Sequence, residues 1–221
     1  MRKVVIFGDT SFAGILAEYI HSDTQDTVVA FTVDADYIKG RGTFENLPLV
    51  PFDQIKTLFP ADDHYLLVAL SAAVKRKHYN AVIMEQVRVL NYPLYSFVHS
   101  SAFVAKSATL GENVLIFPQA IIEPRAIIHD GVIVRSGAYV SHETEIGAYS
   151  YLAPRVAFSG NVVTGKHCFF GTNCTIRDRV NIGHDVVVGA GAVILKDLND
   201  ETVIKASESR ILDIDRFKLT L

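Results

Sequence analysis

An imidazole and a carboxylate stand next to each other at His142-Glu143. A neutral imidazole has an unperturbed pKa of about 6.5, so it can accept a proton near neutral pH. A carboxylate beside it can fix the tautomer of the ring and stabilise the imidazolium as it forms. Gly160 follows further along the chain, and its backbone N–H is a candidate donor to an oxyanion. These residue types could perform acid–base chemistry if the fold stacks position 160 on position 142.

The other histidines and the two cysteines predict no second chemistry. No two histidines have the close spacing of zinc ligands, so no metal is expected. This holds for the scattered histidines His99, His129, His167 and His184. The cysteines, Cys168 and Cys174, both fall on a small position of the repeat described next, and they are expected to fill the core rather than to form a disulfide.

The elements that must position His142 come from a period of six residues that begins at Val98. Seventeen consecutive hexads run from Val98 to Asn199 without an insertion. Their first residues are large and apolar except Thr164, and their fifth residues are small except Leu198. Their fourth residues favour types that tolerate a left-handed backbone, namely Asn113, Gly131, Gly137, Asn161, Asn173, Asp185, Gly191 and Asp197.

Such a period is the signature of a β-helix. The large residue fills the bore, the small one allows a tight corner, and the fourth residue makes the turn. Three hexads form one coil, and successive coils stack about 4.8 Å apart. Position 160 is three hexads after position 142, so the register predicts that Gly160 lies directly over His142.

The first 96 residues alternate short apolar runs with helical stretches, which predicts a small Rossmann-like parallel sheet. Strands are expected at Lys3–Phe7, Thr27–Val33 and Tyr65–Leu70, with a helix from Ser11 to His21. Ligands of such sheets bind at the carboxyl ends of the strands. The candidate substrate-binding residues at that edge are Gly8, Asp34, Asp36 and Ser71.

The sequence thus divides into an α/β domain (1–96), a β-helix (97–199) and a tail (200–221). Both ends of a β-helix bore need a cap. The α/β domain is expected to cover one end, and the tail is expected to cover the other.

An α/β domain that leads directly into hexads resembles the sialic-acid O-acetyltransferase-like sugar acyltransferases of the hexapeptide-repeat superfamily. The most specific segments are Ser136–Glu143, Ser159–Val162 and Gly189–Asp197. The resemblance implies left-handed coils, a homotrimer with active sites between neighbouring chains, and acetyl-CoA as acyl donor. It also implies that His142 is the catalytic base, that Glu143 orients it, and that the Gly160 amide contacts the acyl carbonyl.

The same resemblance implies where the two substrates bind. Gly191 and Ala192 are expected to contact the pantetheine arm of the coenzyme, and Arg210 its phosphates. A nucleotide-linked sugar is the expected acceptor. Asp34 or Asp36 could accept a hydrogen bond from the base of this nucleotide. The reaction would serve surface-glycan synthesis, and the acylated atom can be nitrogen or oxygen.

Composition excludes several other classes of protein. The net charge of −3 favours neither nucleic acid nor anionic membrane as partner. No apolar run approaches the ~20 residues of a membrane span, and the N-terminus has no signal-peptide pattern. The sequence therefore predicts a cytoplasmic protein.

Two other functions remain open from the sequence. One is a zinc hydratase built on the same β-helix, although the required histidine spacing is missing. The other is a non-catalytic scaffold or sugar-nucleotide-binding protein with a decayed coenzyme site. Asp9 in the first loop and Glu208 in the tail favour this second alternative, because each places a negative charge where a phosphate is expected.

Overall fold

The computed structural model describes residues 1–70 and 78–207, which form an α/β domain followed by a β-helix. The α/β domain holds a five-stranded sheet of order β3-β4-β2-β1-β5, parallel except for the β3–β4 pair. Its elements are β1 (Lys3–Phe7), α1 (Ser11–Asp23), β2 (Thr27–Val33), α2 (Ala35–Ile38), β3 (Thr43–Phe44), β4 (Leu47–Pro51), a 3₁₀ turn (Phe52–Gln54), α3 (Ile55–Leu58), β5 (His64–Val68) and α4 (Tyr79–Val89).

The predicted Rossmann-like sheet is confirmed, with small shifts at its ends. The first two strands have the predicted bounds, whereas β5 begins one residue earlier and ends two residues earlier than predicted. β1 lies between β2 and β5, and its apolar residues are buried because helices cover both faces of the sheet. Ser71, a candidate substrate-binding residue, lies outside the described residues, and α4 begins at Tyr79.

From Phe97 the chain forms short strands in every hexad, β6 to β22, and then β23 (Val203–Ile204). They stack into three parallel sheets, here called faces 1, 2 and 3. Face 1 holds β6 (Phe97–Val98), β9 (Leu115–Ile116), β12 (Ile133–Val134), β15 (Tyr151–Leu152), β18 (Phe169–Phe170), β21 (Val187–Val188) and β23. Face 2 holds β7 (Phe103–Val104), β10 (Ile121–Ile122), β13 (Tyr139–Val140), β16 (Ala157–Phe158), β19 (Thr175–Ile176) and β22 (Val193–Ile194). Face 3 holds β8 (Thr109–Leu110), β11 (Ile127–Ile128), β14 (Glu145–Ile146), β17 (Val163–Thr164) and β20 (Asn181–Ile182).

Strand pairs such as Tyr139 with Ala157 and Ile127 with Glu145 are separated by one coil of three hexads, as the period predicts. The second residue of nearly every strand points into the bore, where side chains such as Ile122, Val140 and Phe158 are fully buried. This is the architecture of a left-handed parallel β-helix. The predicted fold class is therefore confirmed.

The corners of the β-helix are made by the fourth residue of each hexad, as predicted. Every fourth position from Asn113 to Gly191 has a positive φ, between 53° and 71°. This includes residue types from which the sequence did not predict it, such as Arg125, Glu143 and Tyr149. The periodic packing therefore imposes the left-handed conformation even on side chains that disfavour it.

The last hexad does not keep the period. Leu198 pairs with Ile182, and Val203 pairs with Val187, so both steps are shorter than a regular coil. Leu198 therefore takes the place of an inward first residue, which explains why a large residue stands at a predicted fifth position. The fourth position Asp197 has no positive φ, and β23 extends face 1 past the predicted boundary at 199.

The α/β domain packs along the side of the β-helix, and the prediction that it covers an end was wrong. Its helix α1 lies on the outer residues of face 1, where the rings of Phe12 and Phe117 are 5.8 Å apart. Val98, in the first coil, stays 39% exposed. The outer residues of face 1 are aromatic or aliphatic at this level, so a helix buries more apolar surface there than over the narrow bore.

A buried amide joins the two domains at the corner between faces 3 and 1. Asn113 accepts a hydrogen bond from the N–H of Val68 (2.7 Å) and donates one to its carbonyl oxygen (3.0 Å). Val68 is the last residue of β5, so this contact ties the carboxyl edge of the sheet to the β-helix. On the same corner, Arg88 of α4 pairs with Glu112 and Asp130.

Candidate active site

His142 lies at the corner between faces 2 and 3, here called the His142 corner (residues 141–144 and their equivalents in other coils). Its carbonyl oxygen accepts a hydrogen bond from the N–H of Asn161, one coil above, at 3.1 Å. A Cβ atom built on Gly160 would lie 2.5 Å from Cε1 and 2.7 Å from Nε2 of the imidazole. The predicted stacking is therefore confirmed, and the imidazole itself occupies the space that a side chain at position 160 would take.

Glu143 lies next to the imidazole at the left-handed position of the corner, with φ 57°. Its Oε2 is 3.6 Å from Nδ1 of His142, and its Oε1 accepts a hydrogen bond from Nε of Arg125 at 2.9 Å. This hydrogen bond and the positive charge of Arg125 lower the pKa of the Glu143 carboxyl below its usual value. Glu143 is therefore an anion at neutral pH, placed to orient Nδ1–H.

Glu123 fixes the backbone of the same residue from one coil below. Its Oε2 accepts hydrogen bonds from the hydroxyl of Ser141 (2.8 Å) and from the N–H of His142 (3.0 Å). These bonds, the Ser141 one foremost, lower the pKa of Glu123. The main chain at position 142 is thus held, while half of the His142 side chain is exposed to a reactant.

Gly160 is a buried residue next to the His142 ring, and its two backbone polar groups differ in their partners. Its carbonyl oxygen accepts a hydrogen bond from the N–H of Arg179 at 3.1 Å, but the Gly160 N–H donates to no atom of the described residues. Backbone N–H groups without partners are rare, and one beside a candidate base is suited to receive an oxyanion.

Face 3 extends from the His142 corner to the corner where the α/β domain docks. Glu145 stands on this face, and it is the one charged residue among the outward-facing first residues of β6 to β22. Its Oε1 is 2.7 Å from Nε2 of His129. Sequence reasoning missed Glu145, Arg125 and Glu123. The offset of one coil brings Glu123 and Arg125 to the candidate base, and a search for charges at outward strand positions finds Glu145.

The carboxyl edge of the α/β sheet carries the predicted substrate residues in different settings. Gly8 has φ 134°, its N–H donates to the carbonyl oxygen of Thr32 at 2.9 Å, and a Cβ atom there would lie 2.9 Å from the Ala69 oxygen. Gly8 is therefore required for close packing of the loop. Asp9, next to it, forms a 2.5 Å ion pair with Arg41, which offsets the negative charge of the loop.

Asp34 follows β2 and accepts a hydrogen bond from the hydroxyl of Tyr79. It also lines a cleft of about 870 Å³ between α3 and α4, where Phe52, Ile55 and Val82 supply apolar walls. Asp36 lies in the first turn of α2 and is exposed. Ser71 lies outside the described residues.

The predicted coenzyme residues lie on the corner between faces 1 and 2, so one chain does not bring them to His142. Gly191 has φ 71° with open space around it, and its N–H donates to the Thr172 oxygen at 2.9 Å. The Ala192 side chain points into the bore and is 4% exposed. Arg210 and Glu208 lie outside the described residues.

The two cysteines and His167 pack against other side chains. Burial raises the pKa of Cys168 to about 11 and that of Cys174 to about 12, so both stay as thiols in the bore. His167 stacks between Tyr149 and His78, with ring centroids 5.0 and 3.6 Å away. Among residues 1–70 and 78–207, no three His, Cys, Asp or Glu side chains are grouped as a metal site would require.

Two segments of the repeat match a known protein family. Residues 107–142 and 161–196 match the family described as bacterial transferase hexapeptide (six repeats). Both matched segments lie within the β-helix. The first matched segment ends at His142, and the second covers the coils above Gly160.

Three solved structures share the two-domain architecture of this hexapeptide-repeat chain. PerB from Caulobacter crescentus, in complex with CoA and GDP-perosamine, is 27% identical with a TM-score of 0.79, over 92% of this chain and 93% of that one. The acetyltransferase domain of PglB from Neisseria gonorrhoeae FA1090, in complex with acetyl coenzyme A, is 24% identical with a TM-score of 0.80, over 91% and 95%. WeeI from Acinetobacter baumannii AYE is 20% identical with a TM-score of 0.79, over 96% and 100%. Within the described residues, no helix is long and apolar enough to cross a membrane.

Proposed function

We propose that this protein is an acetyltransferase that transfers the acetyl group of acetyl-CoA to a nucleotide-linked sugar in glycan synthesis. The observation that carries the proposal is the stacking of His142 under Gly160, with Glu143 at Nδ1 and, above the ring, an amide that donates to no atom of residues 1–70 or 78–207. The 27% identical PerB, solved with CoA and GDP-perosamine, supports both the donor and the class of acceptor.

In the proposed reaction, Nε2 of His142 accepts the proton of the attacking amine or hydroxyl group of the sugar. Glu143 stabilises the imidazolium that results. The Gly160 N–H donates to the carbonyl oxygen of the thioester as negative charge develops there. The C–S bond then breaks, and the imidazolium returns the proton to the departing thiolate.

The nucleotide is proposed to bind at the carboxyl edge of the α/β sheet. Gly8, Asp34 and Asp36 follow strands whose carboxyl ends meet there, and Asp34 borders the apolar cleft. Ser71, which lies outside the described residues, is included in the proposal from its place in the sequence. The ion pair of Asp9 with Arg41 removes the main objection to a phosphate in this loop, and with it part of the case for a non-catalytic scaffold.

The coenzyme is proposed to contact Gly191, Ala192 and Arg210. Because Gly191 and His142 lie on different corners of one chain, the proposal requires that a neighbouring chain supplies one of them. A homotrimer with sites between chains, related to the sialic-acid O-acetyltransferase-like enzymes, satisfies this requirement. Acylation at nitrogen or at oxygen is compatible with the geometry of the base.

Thiol release from acetyl-CoA in the presence of GDP-perosamine and a panel of UDP- and GDP-linked amino and neutral sugars tests the proposal. We expect release with one of these sugars, and a loss of at least 100-fold in kcat/KM for His142→Ala. His21→Ala, an exposed histidine in the last turn of α1, is the control and should keep full activity. Wild-type turnover by His142→Ala would refute the assignment of the base. Calorimetry that detects no acetyl-CoA binding at millimolar concentration would favour the non-catalytic scaffold.

A further inference from the structure

Three consecutive residues, Glu123, Pro124 and Arg125, hold His142 and Glu143 from one coil below. Glu123 accepts a hydrogen bond from the His142 N–H (3.0 Å), and the Pro124 carbonyl oxygen accepts one from the Glu143 N–H (3.2 Å). Arg125 donates from Nε to the Glu143 carboxylate (2.9 Å). The segment therefore fixes the main chain of both residues and the side chain of the second.

From this arrangement we infer that Arg125 is a positioning residue, which holds Glu143 so that the neutral His142 ring carries its hydrogen on Nδ1. The catalytic importance of this role rests on the proposed function, whereas the tautomer itself does not.

Within the described residues, Arg125 makes the closest contact to the Glu143 carboxylate, and the other contact is with His142 itself. Glu143 stands on a left-handed corner and 41% of its side chain is exposed, so an unpaired carboxylate would sample several rotamers. The hydrogen bond from Arg125 uses Oε1 and leaves Oε2 facing Nδ1 of His142 at 3.6 Å. Arg125 thereby selects the rotamer in which the carboxylate can accept from Nδ1–H.

The Arg125 side chain is itself directed by the repeat. It is the left-handed residue of its own hexad, one coil before Glu143, and its N–H is held by the hydroxyl of Ser107 at 3.2 Å. Arg179, two coils above Glu143 on the same corner, instead pairs with its neighbour Asp178 at 3.3 Å. The stacking of the coils therefore places Arg125, and not Arg179, next to Glu143.

The position of Glu143 affects which of the two ring nitrogens of His142 carries the hydrogen. A partner at one nitrogen decides which of them carries the hydrogen of the neutral ring. With Nδ1–H directed at Glu143, Nε2 keeps its lone pair on the side of Gly160, where a Cβ atom would lie 2.7 Å away. An acceptor group beside Gly160 would then meet a base in the correct tautomer.

The pair is too exposed to matter much for stability. The Arg125 side chain is 63% exposed, and exposed ion pairs contribute little to folding. Loss of the Arg125–Glu143 pair should therefore change the ratio of the two tautomers of His142 rather than the melting temperature of the protein.

The test is ¹⁵N NMR of the full-length protein labelled at histidine, without any ligand, at alkaline pH. The His142 signals are assigned by their loss in His142→Gln. We expect the wild-type ring to be mainly in the Nδ1–H form. In Arg125→Ala the ratio of Nδ1–H to Nε2–H should shift at least threefold towards Nε2–H. Arg125→Lys should show a smaller shift, because lysine keeps the positive charge. The far-UV circular dichroism spectra of both variants should match that of the wild type.

Two further variants show whether Arg125 acts through Glu143. Glu143→Gly keeps the left-handed backbone and removes the carboxylate, and in that background Arg125→Ala should change the ratio no further. Arg179→Ala is the matched control, because Arg179 is the exposed left-handed residue of the same corner, two coils above Glu143 (φ 57°), and it pairs with Asp178 rather than with Glu143. An unchanged ratio in Arg125→Ala would overturn the inference, as would an equal shift in Arg179→Ala or in the Glu143→Gly background.

The activity arm separates this inference from the proposed function. With a sugar that is turned over, Arg125→Ala should lower kcat about tenfold and leave KM for acetyl-CoA unchanged. Failure of every sugar would count against the proposed function and leave the tautomer result standing. A wild-type ratio in Arg125→Ala with normal turnover would count against Arg125 alone.

Discussion

The His142 corner and the carboxyl edge of the α/β sheet hold their polar side chains by different means. At the corner, every partner of His142 and Glu143 in the coil below comes from the register, so Glu123, Pro124 and Arg125 arrive together. At the sheet edge, Asp9 meets Arg41 and Asp34 meets Tyr79, and these partners are distant in sequence and follow no period.

The difference has a physical origin. In the β-helix, local hydrogen bonds between stacked coils fix the backbone once in every coil, so a side chain can be placed by counting. In the α/β domain, side chains at loops are placed by the packing of helices on a sheet, which depends on many contacts at once. Regularity therefore makes the corner a rigid scaffold for His142, whereas the sheet edge depends on individual tertiary contacts.

The largest expected effect breaks the junction between the two regions. Asn113→Gly keeps the left-handed backbone and removes an amide that is 2% exposed. Because the N–H and carbonyl oxygen of Val68 would lose their partner, we expect the free energy of unfolding to fall by about 3 kcal/mol. Urea denaturation measures it.

Asn173→Gly is the matched control for this prediction. Asn173 has nearly the same backbone (φ 58°) but is exposed, so its replacement should change stability by less than about 0.5 kcal/mol. Equal losses in the two variants would mean that the corner conformation, and not the amide of Asn113, couples the domains.

The next effect tests the rigidity of the His142 corner. In Gly160→Ala the new methyl group would lie 2.5 Å from Cε1 of His142, so the imidazole must leave its position. We expect kcat/KM for acetyl transfer to fall about 100-fold, or about 2.7 kcal/mol of transition-state stabilisation, with little loss of stability because the ring can rotate into solvent. Steady-state thiol release and thermal melting check the two parts.

Gly137→Asn serves as the control on another corner. Its φ of 69° suits asparagine, and a Cβ atom there would be 3.4 Å from the flexible Arg155 side chain. Full activity in both variants would mean that the observed position of the imidazole is not needed for the reaction.

The sequence predicted the β-helix, its left-handed corners and the stacking of Gly160 on His142, because all three follow from a period. It missed Arg125 and Glu123, since their role depends on long side chains that reach across a coil, and rotamers are not visible in a period. It also missed the docking of the α/β domain on face 1. The aromatic residues Phe97 and Phe117 that receive α1 have the same residue types as buried core positions.

The end of the repeat shows the same limit. Leu198 is the fifth residue of the last hexad, a position at which the other hexads have a small residue. In the structure the last coil is shorter than the others, so Leu198 does not occupy a regular fifth position. A large residue at a fifth position was therefore the sequence signal that the regular register stops. It also explains why Asp197 does not adopt the predicted left-handed conformation, since its corner no longer has the standard length.

The smallest expected effect compares the ion pairs of the two regions. In the α/β domain, burial of Asp26 raises its pKa, but hydrogen bonds from Arg2, with a further one from Tyr95, outweigh this and lower the pKa to about 2. A carboxyl group whose pKa is lower in the folded state stabilises the fold above its unfolded pKa of about 3.9, and this stabilisation is lost as the pH falls towards 2.

The expected loss is about 1 kcal/mol between pH 6 and pH 2, because 48% of the Arg2 side chain is exposed to solvent, which screens the pair. Urea denaturation at a series of pH values should show this component in the wild type and lack it in Asp26→Asn. Glu143→Gln is the control: its carboxyl is also paired with an arginine but lies at the surface, so its removal should leave the acid dependence nearly unchanged. If Glu143→Gln removed as much of the acid dependence as Asp26→Asn, the two regions would hold their charges equally firmly, and the distinction between a stabilising pair and an orienting pair would fail.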